Sequence, residues 1–224
     1  HLRNRRQRQM CIRDRARSAD LNSPASTMIE EAEQRLFNLA ENDQGQSGLN
    51  PFSMALDTAL KMADEASKTA GGISGVGSGL RTLDQLLGGL QKSDLIILAG
   101  RPGMGKTALA TNIAFHAATT TLSGETPQQV AFFSLEMSSD QLANRILSSK
   151  AGVPSDKIRR GELNKDQFNN LVRAAGEIGN APFYIDDTPA ISVSQISSRA
   201  RRLKRTSGLG LIVVDYLQLL TPQL

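Results

Sequence analysis

The chain has 224 residues, a net charge of +4 at pH 7 and few aromatics, with no Trp, a length that suits one domain with an extension or one and a half domains. Its single cysteine, Cys11, excludes an internal disulfide framework and suits a reducing cytosol. No apolar run approaches the roughly 20 residues that span a bilayer, and no apolar stretch follows the basic start as a signal peptide requires, so the expectation is a cytoplasmic protein with no membrane contact.

The charge is unevenly placed. Residues 1–20 hold seven of the 26 basic and two of the 22 acidic residues, so this stretch carries +5 and the remainder −1. The Arg-rich segment 1–26 reads either as a nucleic-acid-binding arm or as sequence foreign to the native protein; its lack of amphipathic pattern favours the second. Patterning begins at Thr27, where Thr27-x-x-Glu30 fits a capping box. Ile29, Ala32, Leu36 and Leu39 follow at helical spacing, and Asn42–Gly48 is a linker by composition. Residues 27–48 therefore read as a helix plus linker. The helix would bury its stripe on a partner or neighbouring copy, or on its own domain.

The domain proper is expected over 49–224. Pro51 opens a helix through about Ala70, with Met54, Leu56, Ala59, Leu60 and Ala63 as its apolar set. Gly71-Gly72 ends it, and a short helix spans Leu80–Leu87. Leu95–Ala99, a continuous apolar run, reads as a buried parallel strand. It leads into Gly100-Arg101-Pro102-Gly103-Met104-Gly105-Lys106-Thr107, which fits the phosphate-loop pattern G-x-x-x-x-G-K-[ST] without substitution. Ala108–Ala114 then continues as a helix.

Strand, glycine loop and helix form the arrangement that phosphate binding needs. Glycines let the backbone approach a phosphate, and the helix start offers unpaired N–H donors and a partial positive charge. Lys106 would reach the β- and γ-phosphates, and the Thr107 hydroxyl would hold Mg²⁺.

Beyond this unit, Thr119–Gln129 is a surface loop and Val130–Leu135 a buried strand. Ser138-x-x-Gln141 and Asn164-x-x-Gln167 each cap a helix. Pro182–Ile185 is a third strand, Ser194–Thr206 a basic helix and Leu211–Asp215 a fourth strand. Alternating strands and helices imply an α/β fold, a parallel sheet with helices on both faces.

Ligands of such sheets lie at the carboxyl ends of the strands. Asp215 closes an apolar strand there and is the candidate Mg²⁺ carboxylate; a helix cap is the alternative. Glu136, just past the second strand, can orient an attacking water or be an ordinary surface residue. Asp186 and Asp187 suit a turn or helix start as well as a water-binding role. Arg145 can face a nucleotide, although a solvated helix face is favoured. The basic run Arg199–Arg205 can touch nucleic-acid phosphates, but is more often a solvated face or subunit contact. His1 and His116 are lone and have no metal-site partner.

Together these residues resemble the DnaB-type replicative DNA helicases, hexameric RecA-like motors. The likeness rests on Ala99–Ala108, on Phe132-Phe133-Ser134-Leu135-Glu136-Met137-Ser138, on Ile185-Asp186-Asp187-Thr188-Pro189 and on Leu211–Leu219, and runs from about Thr27 to the end. It implies a RecA-like P-loop core preceded by a helical linker, binding ATP and Mg²⁺ through Gly100–Ala108. Glu136 would be the catalytic glutamate, assisted by Lys106, with Thr107 and Asp215 at the metal. The Thr27–Glu41 helix would be the linker helix that docks on a neighbouring subunit. The implied partners are single-stranded DNA, the other copies of a homo-hexamer, primase and a helicase loader. The family's N-terminal collar domain is not visible ahead of Thr27, and its DNA-binding loops, sensing Gln and arginine finger would lie beyond this sequence. An arginine finger is worth roughly 10³–10⁵ in rate, so the expectation is a nucleotide-binding fragment with little hydrolysis or unwinding of its own.

Overall fold

The structure is a computed structural model and describes residues 32, 35, 51–68, 74–120 and 127–221. The chain divides into two compact units, His1–Leu49 and Asn50–Leu224, and the elements below belong to the second. The Arg-rich start, the Asn42–Gly48 linker and the Gly71-Gly72 stop lie outside the described residues. So does the Thr27–Glu41 helix, apart from Ala32 and Arg35, which are helical and exposed.

The central feature is a sheet of three parallel strands: β1 (Val130–Ser134), β2 (Phe183–Asp186) and β3 (Leu211–Asp215), in the order β2-β1-β3. In this register Phe133 pairs with Asp186 and with Val214, and Ser134 pairs with Asp215, so the carboxyl ends of the strands lie along one edge. Every residue of the middle strand is buried. Strand alternation then assigns the faces. Val130 and Phe132, with Leu211, Val213, Phe183 and Ile185, pack against α3 (Lys106–Thr119), α4 (Ser139–Ala151) and the end of α6 (Lys165–Ile178). Ala131, Phe133 and Val214 face α7 (Val193–Ser207) through Ile196 and Leu203. Helices thus cover both faces. In α3 the residues nearest the sheet are small: Ala110, Ala114, Ala117 and Ala118. They let the helix lie close to the strands.

Helix boundaries follow local chemistry. The expected capping boxes, Ser138 with Gln141 and Asn164 with Gln167, open α4 and α6. A third, Ser192 with Gln195, opens α7 one residue earlier than the sequence pattern suggests. The short α5 (Ser155–Arg160) is an addition to the expected elements, bracketed by Pro154 and Gly161. The two helices before the phosphate loop are α1 (Phe52–Lys68) and α2 (Arg81–Leu87). The apolar stripe of α1 is exposed, including Phe52, Met54, Leu56 and Leu60. No described helix is long and apolar enough to cross a membrane.

One expected strand is absent. Leu95–Ala99 forms no ladder with any described strand, and Leu95 and Ile97 are 86 % and 70 % exposed. An apolar run becomes a buried strand only when a neighbour supplies hydrogen bonds along its edge. Both edges of β1 are taken by β2 and β3, and nothing from 95–99 pairs with the outer strands. The described sheet therefore has three strands instead of four.

Phe132 is fully buried, with its ring 5.8 Å from that of Phe183. Phe132→Ala is expected to lower stability by about 3–5 kcal/mol, read from urea unfolding at unchanged slope; a loss under about 1 kcal/mol would mean the two-faced core is misassigned.

Candidate functional site

The loop Gly100–Gly105 is exposed and turns through two left-handed glycines, Gly103 (φ 79°) and Gly105 (φ 83°). A Cβ at either position would meet no atom within 4 Å, so backbone conformation alone calls for glycine there. Met104 N–H donates to the Arg101 carbonyl at 3.2 Å across the turn that holds Pro102. Gly105 is the N-cap of α3, and no side chain caps this helix, whereas α4, α6 and α7 each have a capping box. The first amides of α3, at Lys106, Thr107 and Ala108, thus remain donors for an anion. The Lys106 ammonium folds back over the loop and donates to the Gly100 carbonyl at 2.9 Å. The backbone of Thr107 is held by helix α3, where its carbonyl accepts from the Thr111 hydroxyl at 2.6 Å.

The same ammonium lies 5.9 Å from the centroid of the Tyr216 ring, within cation–π range. That contact joins the glycine loop to the end of β3, one residue past Asp215. Asp215 is 6 % exposed, and its Oδ2 has no hydrogen-bond partner. A buried carboxylate oxygen without a donor is costly unless a cation or water meets it. Asp215 and Thr107 are the residues placed to hold a hard cation. No group of three His, Cys, Asp or Glu forms a metal cage among the described residues, which suits an ion of the Mg²⁺ type that takes one or two protein oxygens plus phosphate and water.

Glu136 is exposed on the loop between β1 and α4. Leu135 N–H donates to the Asp215 carbonyl at 2.8 Å, so the Glu136 loop starts beside Asp215. The buried Ser134 hydroxyl donates to the Met137 carbonyl at 2.7 Å and closes the turn beneath Glu136. The structure thus brings Lys106, Tyr216, Asp215 and the Glu136 loop to one end of the sheet. It does not bring Arg145 into that group: Arg145 is half-buried near the middle of α4 and makes no ion pair among the described residues.

Asp186 ends β2 and is fully engaged. Its Oδ1 accepts from the Thr188 amide at 3.1 Å and from the Thr188 hydroxyl at 2.7 Å, and its Oδ2 pairs with Arg199. Arg199 also donates to the Thr188 oxygen at 2.7 Å. This removes Arg199 from the basic run read as a nucleic-acid contact. Neither this pair nor the Lys106–Tyr216 contact carries a local sequence signal. His116 lies near the end of α3, away from the glycine loop, with Nδ1 3.2 Å from the Thr120 hydroxyl.

The family model of the DnaB-like helicase C-terminal domain matches residues 75–223. The chain belongs to that family. It is 41 % identical over 210 residues to the replicative DNA helicase DnaB of Rickettsia bellii (strain RML369-C), covering 92 % of this chain and 42 % of that protein. With the DnaB of Geobacillus stearothermophilus the identity is 39 % over 193 residues, 86 % of this chain and 41 % of the relative. The chain therefore spans about two-fifths of the length of these curated relatives. Among solved structures, one described as a helicase ATPase domain superposes with a TM-score of 0.70 at 30 % identity, covering 79 % of this chain and 61 % of that one. A DnaB-like replicative helicase, whose structure was described with its interactions with primase, gives 0.67 at 28 %, covering 89 % and 48 %. The fold of this DnaB-family domain is the RecA-like ATPase fold.

Burial disfavours ionised Asp186, but the hydrogen bonds from Arg199 and Thr188 outweigh it and leave the carboxyl below its usual value of 3.8. A carboxyl depressed in the folded state adds stability above its unfolded pKa, and that stability is lost as pH falls through the folded value. Asp186→Asn is thus expected to cost about 1 kcal/mol at pH 7 for this partly exposed pair. The gap to the parent should narrow as unfolding is measured at progressively lower pH, below about 4; a gap independent of pH would contradict the ion pair.

Proposed function

We propose that this chain carries the nucleotide-binding part of a replicative DNA helicase, in which ATP hydrolysis drives movement on single-stranded DNA and duplex unwinding. The observation that supports it best is the Lys106 ammonium 5.9 Å from the Tyr216 ring. It sets the phosphate loop beside a strand end whose Asp215 Oδ2 is buried and unpartnered. ATP is the proposed substrate, with Gly100, Arg101, Pro102, Gly103, Met104, Gly105 and Ala108 forming the cradle around its phosphates.

In this reading the α3 amides and Lys106 bind the β- and γ-phosphates and keep them oriented. Thr107 and Asp215 hold Mg²⁺, which when bound neutralises charge on the phosphate oxygens. Glu136 holds the attacking water in line and accepts its proton as the γ-phosphoryl leaves. Arg145 is the least supported member of the set. The exposed Phe52, Met54, Leu56 and Leu60 on α1 support assembly into a homo-hexamer, where a neighbouring copy would cover them. Primase and a loader are proposed partners of the full-length protein, and the cytoplasm its compartment.

In the full-length protein, Glu136→Gln is expected to leave nucleotide affinity unchanged and cut DNA-stimulated turnover by about 10²–10⁴. Unchanged turnover would remove Glu136 from the mechanism, and ATP turnover without strand displacement in the parent would favour a RecA-like filament protein. Replacing Leu56 and Leu60 together by Asp should convert hexamers to smaller species in sedimentation, with helicity retained; an intact hexamer would show that α1 is not at the subunit contact.

A further inference from the structure

The loop that carries Glu136 runs from Ser134, the last residue of β1, to Ser138, the N-cap of α4. Two of its ties lie near its start: Ser134 to the Met137 carbonyl and Leu135 to the Asp215 carbonyl. A third comes from a different strand. Asp187 Oδ2 accepts the amide of Ser139, the first residue of α4, at 2.7 Å, across 48 positions of sequence.

This contact is not part of the ordinary helix cap. The capping box already uses the amides of Ser138 and Gln141. The Ser139 amide is left over, and a first-turn amide normally turns to water. Here a carboxylate from the end of β2 takes it, in a charge-assisted bond at the positive end of the helix. Hydrogen bonds from the Ser139 amide, and then its hydroxyl, hold the Asp187 carboxyl below its usual range. The residue that precedes Asp187 is anchored as well, since Asp186 is held by Arg199 and Thr188.

We propose that Asp187 is a positioning residue for Glu136: by holding the first amide of α4 it fixes the far end of the loop and so the direction in which Glu136 points. The inference rests on Glu136 serving the attacking water. A loop pinned only at its start can pivot about its helix end, and small misplacements of a catalytic group are costly.

The test compares Asp187→Ala, Asp187→Asn, Ser139→Pro and the double variant Asp187→Ala/Ser139→Pro in the full-length protein, beside Glu136→Gln. Proline is tolerated at the first helical position and deletes the N–H donor, and Ser138 at ψ 156° already suits a residue before proline. Asp187→Ala and Ser139→Pro should each lower kcat about 10- to 100-fold, with KM for ATP and nucleotide affinity unchanged. The double variant should be no worse than either single one, and Asp187→Asn, which keeps an acceptor oxygen, should recover most of the rate. In NMR spectra of this chain alone, the Ser139 amide should shift as Asp187 titrates, and Asp187→Ala should move the Glu136 amide.

An unchanged kcat in Asp187→Ala, where Glu136→Gln abolishes turnover, would overturn the positioning role alone. Additive losses in the double variant would overturn it too, as would an Asn variant as slow as Ala. If Glu136→Gln leaves turnover intact, the premise fails and the positioning role fails with it.

Discussion

The Leu135 amide donates to the Asp215 carbonyl at 2.8 Å, one hydrogen bond beyond the last paired residues of β1 and β3. The rest of the site depends on this rung. It carries the parallel ladder past the strand ends, so the Glu136 loop leaves the sheet beside Asp215 and not at some other height. The Lys106 ammonium near the Tyr216 ring then brings the glycine loop to the same end. Two short contacts therefore relate three segments that are far apart in sequence.

Three carboxylates near this end of the sheet have different duties, and hydrogen bonding tells them apart. Asp186 on β2 is satisfied on both oxygens by Thr188 and Arg199 and acts as a structural clamp between β2 and α7. Asp187, the next residue, holds α4 instead. Asp215 on β3 is the most buried, yet one of its oxygens has no donor. A buried unmatched oxygen costs on the order of 1–3 kcal/mol, and a cation at that position is the compensation its chemistry calls for. The stability of one carboxylate and the unmet demand of another arise on the same small sheet.

Much of this is legible in the sequence, where the determinants are local. The glycine loop is set by Gly103 and Gly105, whose positive φ angles no other residue type adopts as readily. The capping boxes at Ser138 and Asn164 involve partners three residues apart, and the strands at Val130, Phe183 and Leu211 are apolar runs that find neighbours. Ser192-x-x-Gln195 carries the same cap signal, although the basic helix is expected to begin after it. Leu95–Ala99 looks no different from these strands in composition, but burial belongs to the pairing and not to the run, and this run has no partner in the described sheet. The Asp186–Arg199, Asp187–Ser139 and Lys106–Tyr216 contacts cross the fold, and no spacing rule relates such residues.

A single shared site for the glycine loop and the two strand ends can be tested directly with Mn²⁺–ADP bound to this chain. The paramagnetic ion broadens backbone amide signals according to their distance from it. Joint broadening of Thr107, Glu136 and Tyr216 is the expected result. Broadening confined to Thr107 and its loop, with Glu136 and Tyr216 left sharp, would contradict the shared site.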